Sequence, residues 1–183
     1  MKCSRCQREA VIFQPYSGNY LCETHLIADI ESRAKKEIRK YGGLKSGEIL
    51  YVSNGNAMVS FALRVFLSGL LLKRVDISFS SEEADADTIV SPSCLEEIAE
   101  TVLTAVLKGN PEQFLLHQKK RILQPFAGIP RKEIEIYATN NGWCKGGETQ
   151  TSEIDAFLTS FSKKRPSARF ALKNVKESLE KMI

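Results

Sequence analysis

Cys3, Cys6, Cys22 and His25 occupy the start of the chain with the spacing C-x2-C-x15-C-x2-H. Each short pair fits a turn that points two soft donors at one ion, and the two pairs close a loop. Tetrahedral zinc takes four such S/N ligands in structural sites, and a closed set leaves no open position for substrate. The expected metal is therefore zinc in a structural role, with iron in the same cage as the remaining choice. Residues 1–23 hold too few apolar groups to form a core, so metal binding is expected to drive their folding.

Disulfide bonding is the competing reading of these cysteines. The total of five is odd, and Lys2 and Arg5 stand where an apolar leader would be. Both features point to a reducing, cytoplasmic setting in which this spacing reads as metal ligation. The longest apolar stretch, Met58 to Leu72, is broken by Ser60, Arg64, Ser68 and Gly69, so no bilayer-spanning helix is expected.

Charge is unevenly spread. Residues 1–45 carry nine Lys/Arg against five Asp/Glu, residues 46–116 four against ten, and residues 117–183 thirteen against seven. Two basic ends around an acidic middle suit a face that attracts a phosphate backbone. A solvated surface gives the same count.

After the metal ligands, Leu26, Ile27, Ile30, Ala34 and Ile38 fall at helical spacing within Thr24 to Tyr41, and Gly42-Gly43 ends the run. Arg33, Lys35, Lys36, Arg39 and Lys40 crowd its polar side, either as a solvated face favoured near a helix C-terminus or as a nucleic-acid-facing helix. The period then changes. Glu48 to Val52 reads as a buried strand, Ser53 to Asn56 as a turn, and Ala57 to Leu67 or beyond as a helix. Lys73 to Phe79 and Asp87 to Val90 read as strands flanking an acidic loop. Ser93 with Glu96 has capping-box spacing ahead of a helix that stops at Gly109-Asn110-Pro111. The last third reads as helices over Pro130 to Tyr137, Thr151 to Ser162 and Pro166 to Met182, with a further strand at Ile122 to Pro125. This order predicts an α/β layer with a parallel sheet. The expected organisation is a zinc module over 1–27, a basic connecting helix over 28–45, and a truncated α/β domain with a helical C-terminal part over 46–183.

In such a sheet, ligands sit at the carboxyl ends of strands, where helix starts offer N–H groups to phosphate. That place is the turn Ser53, Asn54, Gly55, Asn56. Here the chain resembles the archaeal and eukaryotic PP-loop ATP pyrophosphatases that make 2-thiouridine in tRNA. The resemblance rests on Cys3-Ser-Arg-Cys-Gln-Arg-Glu-Ala, on Pro15-Tyr-Ser-Gly-Asn-Tyr-Leu-Cys22 with the following Glu23-Thr-His25, and on Arg121-Ile-Leu-Gln-Pro-Phe-Ala-Gly-Ile-Pro-Arg-Lys-Glu-Ile-Glu-Ile-Tyr-Ala138. It runs nearly end to end with a deletion in the middle, and implies an adenine nucleotide alpha-hydrolase-like fold.

The departures bear on chemistry. The family's phosphate loop reads SGGKDS, whereas this chain has Ser53, Asn54, Gly55, Asn56, Ala57 and Met58. Without lysine to offset polyphosphate charge and aspartate to help hold Mg²⁺, efficient adenylation is not expected, although backbone N–H groups can still hold an anion such as ATP weakly. The family's C-x-x-C pair after the third strand is missing around Ser80 to Asp87. Cys144 matches the family's late cysteine, while Cys94 follows Ser91-Pro-Ser where the family has a TGHN-like loop. Cys94 reads as a small apolar residue at a helix start. Cys144 is the one weak catalytic candidate, and it has no evident cationic neighbour to activate it. His117 has no paired histidine or carboxylate, and Glu96 and Glu97 are explained by capping and solvent.

The resemblance implies a degenerate relative of the thiolation enzyme, a binding or partner subunit whose partner is tRNA, through Arg33, Lys36, Arg39 and Lys40, or a full-length paralogue. Two alternatives stand beside it. One is a residual ATP-binding sulfur-transfer enzyme using Cys144; the other is a homodimeric scaffold without nucleotide.

Overall fold

The computed structural model describes residues 1–72, 74–110, 120–144 and 152–181. Its contacts group the chain into two units that cut across the three consecutive segments expected from sequence. One unit comprises Met1–Leu26, Leu95–His117 and Lys145–Ile183; the other comprises Ile27–Cys94 and Gln118–Cys144.

The second unit holds a four-stranded parallel sheet of β3 (Ile49–Val52), β4 (Ser78–Phe79), β5 (Thr88–Val90) and β6 (Arg121–Leu123), in the order β4-β3-β5-β6. The expected α/β class and parallel pairing are therefore present. Register is set by Leu50↔Thr88 and Val52↔Val90 on one side of β5 and by Thr88↔Arg121 and Val90↔Leu123 on the other. Leu50, Val90 and Leu123 are buried. The unit also contains α2 (Ala57–Leu71) and α4 (Arg131–Asn140), which pack on each other. Phe66 of α2 meets Phe126, ring centroids 5.7 Å apart.

Helix α1 (Glu23–Lys40) buries Leu26, Ile30, Ala34 and Ile38, the stripe read from sequence. Gly42 and Gly43 end it with φ of 92° and 71°, and the Gly43 N–H returns to the Ile38 carbonyl at 3.0 Å. Only glycine takes such a conformation without cost. The carbonyls of Tyr41 and Gly43 accept from the Arg121 guanidinium at 3.0 and 2.6 Å. Arg121 also pairs with Glu48, a buried carboxylate. Glu48 accepts from the Thr88 hydroxyl and from the Lys45 N–H at 2.8 Å. Burial pushes the Glu48 carboxyl up, but the Thr88, Lys45 and Arg121 donors outweigh it and hold it below the ordinary range.

The first unit contains the hairpin β1 (Ile12–Gln14) and β2 (Asn19–Leu21), together with helices α3 (Leu95–Leu107), α5 (Glu153–Lys164) and α6 (Ala168–Glu180). The three helices pack on one another. Arg169 of α6 pairs with Asp155 of α5 at 2.7 Å and with Glu96 of α3 at 3.5 Å. The Tyr16 ring at the hairpin turn lies 4.7 Å from that of Phe170, which fastens the N-terminal module to α6.

Several local expectations change. Of the segment expected as a strand over Lys73 to Phe79, Lys73 lies outside the described residues and only Ser78 and Phe79 of the rest form a strand, because the Ile77 N–H closes a turn on the Arg74 carbonyl and the Arg74 side chain pairs with Asp76 at 2.9 Å. Helix α3 starts at Leu95, so Ser93 does not occupy the cap position, and its hydroxyl meets that of Ser91 at 2.8 Å. Ser152 caps α5 by accepting from the Asp155 N–H at 3.0 Å. Proline 130 precedes α4 at its cap rather than opening its first turn. No helix among the described residues is long and apolar enough to cross a membrane.

Candidate metal centre and phosphate loop

The metal module is built from backbone upward. The Cys6 N–H turns back on the Cys3 carbonyl at 3.3 Å, and the Arg5 N–H points at the Cys3 sulfur at 3.4 Å. This turn is fixed to β2 by the Ser4 N–H on the Tyr20 carbonyl at 2.7 Å and by the Tyr20 N–H on the Ser4 hydroxyl at 2.9 Å. Cys22 follows β2, and His25 lies in the first turn of α1, so both point from one side of a helix start.

The four ligand atoms all lie within 4.8 Å of one another. The His25 Nδ1 stands 3.4 Å from the Cys3 sulfur and 3.3 Å from that of Cys22, and the sulfurs of Cys6 and Cys22 are 3.7 Å apart. A zinc–sulfur bond of about 2.3 Å gives a tetrahedral sulfur–sulfur edge of about 3.8 Å, and the shorter zinc–nitrogen bond gives a mixed edge of about 3.5 Å. The three short spacings lie close to those edges, and the whole set stays within 4.8 Å. A disulfide requires sulfurs about 2 Å apart, and none of the five cysteines is disulfide-bonded. The four side chains form one group able to hold a metal ion.

Electrostatics favour a bound cation. Burial pushes the Cys3 thiol up, but N–H groups of Cys22, Arg5 and Cys6 and the His25 ring outweigh it and bring it down to about 6. At Cys6 the Arg8 N–H draws the thiol down, yet burial and the neighbouring Cys22 and Cys3 thiols prevail and raise it. Crowded thiols resist ionising together until a cation joins them.

The sequence-derived phosphate loop does stand at the carboxyl end of β3 and the start of α2, where a nucleotide would be sought. Its chemistry is turned inward. The Asn56 side chain caps α2, accepting from the Met58 and Val59 N–H groups at 3.1 and 3.2 Å. These are the donors a bound phosphate uses at a helix start. The Ser53 N–H is spent on the Val90 carbonyl at 3.1 Å. Gly55 lies under Pro92, so close that a Cβ on Gly55 would stand 2.6 Å from the ring Cγ. The glycine here admits a proline ring.

The other sequence candidates separate. Cys94 is buried and Cys144 is exposed. His117 lies outside the described residues. Of the basic residues proposed to face nucleic acid, Arg33 is committed to the protein itself: it pairs with buried Glu133, with Asp29 at 2.9 Å, and with the Gly128 carbonyl at 3.2 Å. Lys36, Arg39 and Lys40 are exposed, and Lys40 sits over the Tyr41 ring at 5.6 Å. Sequence reasoning missed the Asn56 cap, although Asn directly before an apolar helical run is its ordinary signature. Nothing local could have announced Pro92.

Residues 2–27 match the family described as 2-thiouridine synthetase TtuA, N-terminal LIM domain. The tRNA 2-thiolation protein NcsA of Haloferax volcanii is 42% identical over 40 residues, a stretch amounting to 22% of this chain and 12% of that protein. Among solved structures, the U34-tRNA thiolase NcsA from Methanococcus maripaludis with its [4Fe-4S] cluster superposes with a TM-score of 0.82 at 13% identity, covering 100% of this chain and 88% of the other. Residues 2–27 are thus similar to the N-terminal domain of a 2-thiouridine synthetase, and the fold is like that of the solved thiolase.

Proposed function

We propose that this relative of the tRNA 2-thiolation enzymes carries one structural zinc and does not adenylate, serving instead as a tRNA-binding subunit beside an active enzyme. The observation that carries the reading is the inward-turned phosphate loop. Asn56 takes up helix-start donors that a phosphate needs, Pro92 covers Gly55, and neither lysine nor aspartate is present to manage polyphosphate charge and Mg²⁺. The four-ligand cage supports zinc by its spacing and by leaving no position for substrate. Binding of tRNA draws support from the exposed cations Lys36, Arg39 and Lys40 and from the chain's basic balance of +4.

Calorimetry with ATP–Mg²⁺ and filter binding with tRNA test the two halves separately. The expected result is no heat at millimolar nucleotide. For tRNA, three phosphate contacts predict a slope of log K against log salt of roughly −2 to −3. Micromolar ATP affinity would restore the enzyme reading, and a salt-independent tRNA affinity would remove the basic-face argument.

A further inference from the structure

Helix α5 carries two aromatic rings where a helix of a compact unit normally carries polar side chains. Its inward face is formed by Leu158 and by Asp155, which is held by Arg169. Phe157 and Phe161, one turn apart on the flank, are 58% and 47% exposed. Their rings stand nearly parallel, with an interplanar angle of 18° and centroids 6.0 Å apart. Neither exposure nor stacking is explained by the core.

The same flank ends in positive charge. Lys164 follows Phe157 by seven positions and Phe161 by three, which places all three along one side of the helix. Lys163 and Arg165 adjoin it at the helix end. All three cations are exposed, and none has a carboxylate partner among the described residues. Lysines at a helix C-terminus have a local electrostatic reason to be there. That reason does not account for the two exposed rings leading up to them.

We infer that the α5 flank, Phe157 and Phe161 with Lys163, Lys164 and Arg165, is a binding site for unpaired RNA nucleotides. Bases stack on the two rings and the adjoining phosphates meet the three cations. Aromatic rings in line with a cationic groove or edge are how single-stranded nucleic acid is held without sequence reading. An exposed aromatic pair alone would suit a protein partner equally well; the uncompensated charge beside it favours a polyanion. The contact of Tyr16 with Phe170 anchors the corner after α5 to the metal module, giving the site a fixed support. This inference rests on the RNA-binding half of the function proposed above and adds where unpaired nucleotides dock.

Fluorescence polarisation with a labelled oligouridylate and a duplex RNA of equal length tests it, using the full chain. The wild type is expected to prefer the single strand. Phe157→Ala with Phe161→Ala should weaken oligouridylate binding roughly 10- to 100-fold while leaving the salt slope unchanged, and Phe157→Tyr with Phe161→Tyr should retain it. Replacing Lys163, Lys164 and Arg165 by alanine should flatten the slope by about 2. If the double alanine variant binds oligouridylate as well as wild type while tRNA binding persists, the α5 site is wrong and the tRNA reading stands. If neither RNA binds the wild type, the RNA reading itself falls. If the double alanine variant leaves RNA binding intact and abolishes self-association in sedimentation, the flank is a protein interface and the inference is overturned.

Discussion

Asn56→Ala tests the argument that the phosphate loop is satisfied from within. The substitution removes the single oxygen that accepts from the Met58 and Val59 amides at 3.1 and 3.2 Å. Loss of an asparagine N-cap costs about 1 kcal/mol, within a range of roughly 0.5–2. In a chain of 183 residues that amount lowers Tm by roughly 2–4 °C. The substitution also bares two donors at a helix start, so the variant should regain part of its stability from inorganic phosphate. An anion at tenfold its Kd adds about 1.4 kcal/mol to a folded state it alone binds. Thermal melts of wild type and variant, with and without phosphate at tens of millimolar, give all the quantities needed. The wild type should gain less from phosphate than the variant. A variant as stable as wild type, or a wild type whose Tm climbs several degrees with ATP–Mg²⁺, would show that the helix start is open and would refute the reasoning.

Two further tests address the scaffold. Purified protein should hold one zinc per chain by elemental analysis, and chelation or Cys22→Ser should abolish amide protection in residues 1–26 by hydrogen exchange; visible iron–thiolate absorption would overturn the choice of metal. Glu48→Ala leaves Arg121 charged and partly buried, with a side-chain exposure of 23%, and should cost about 3 kcal/mol in urea unfolding. Because the folded-state pKa of Glu48 is depressed, its contribution is present above the ordinary value of 4.5 and is lost as pH falls through the folded value. The Glu48→Gln variant should therefore show a shallower acid limb than wild type, and parallel limbs would contradict the depressed pKa.

How much of this was legible in the sequence depended on the range of the interaction. The metal quartet was readable because its ligands come as two local pairs, and β3, β5 and α1 were readable because burial writes its own period into the chain. The strands Ile12–Gln14 and Asn19–Leu21 are three residues each, too short to show an alternation. Strand β4 was overestimated because an apolar composition does not reveal that Arg74 folds back onto Asp76. Arg33 looked like one cation of a solvated face; its partner Glu133 is 100 positions away, and no local pattern announces it. The turn after β3 was legible as a loop leading into a helix, but the engagement of the Ser53, Met58 and Val59 N–H groups comes from contacts that no local pattern writes.

The Pro92 ring above Gly55 and the Asn56 cap constrain the same turn. Replacing Asn56 with lysine would restore a charge while leaving the proline in place, and removing the proline would open a space still lacking that charge. On the proposed function, neither single change is expected to give nucleotide binding. The two positions act as one constraint on that reading, so opening this turn to a phosphate takes both changes together.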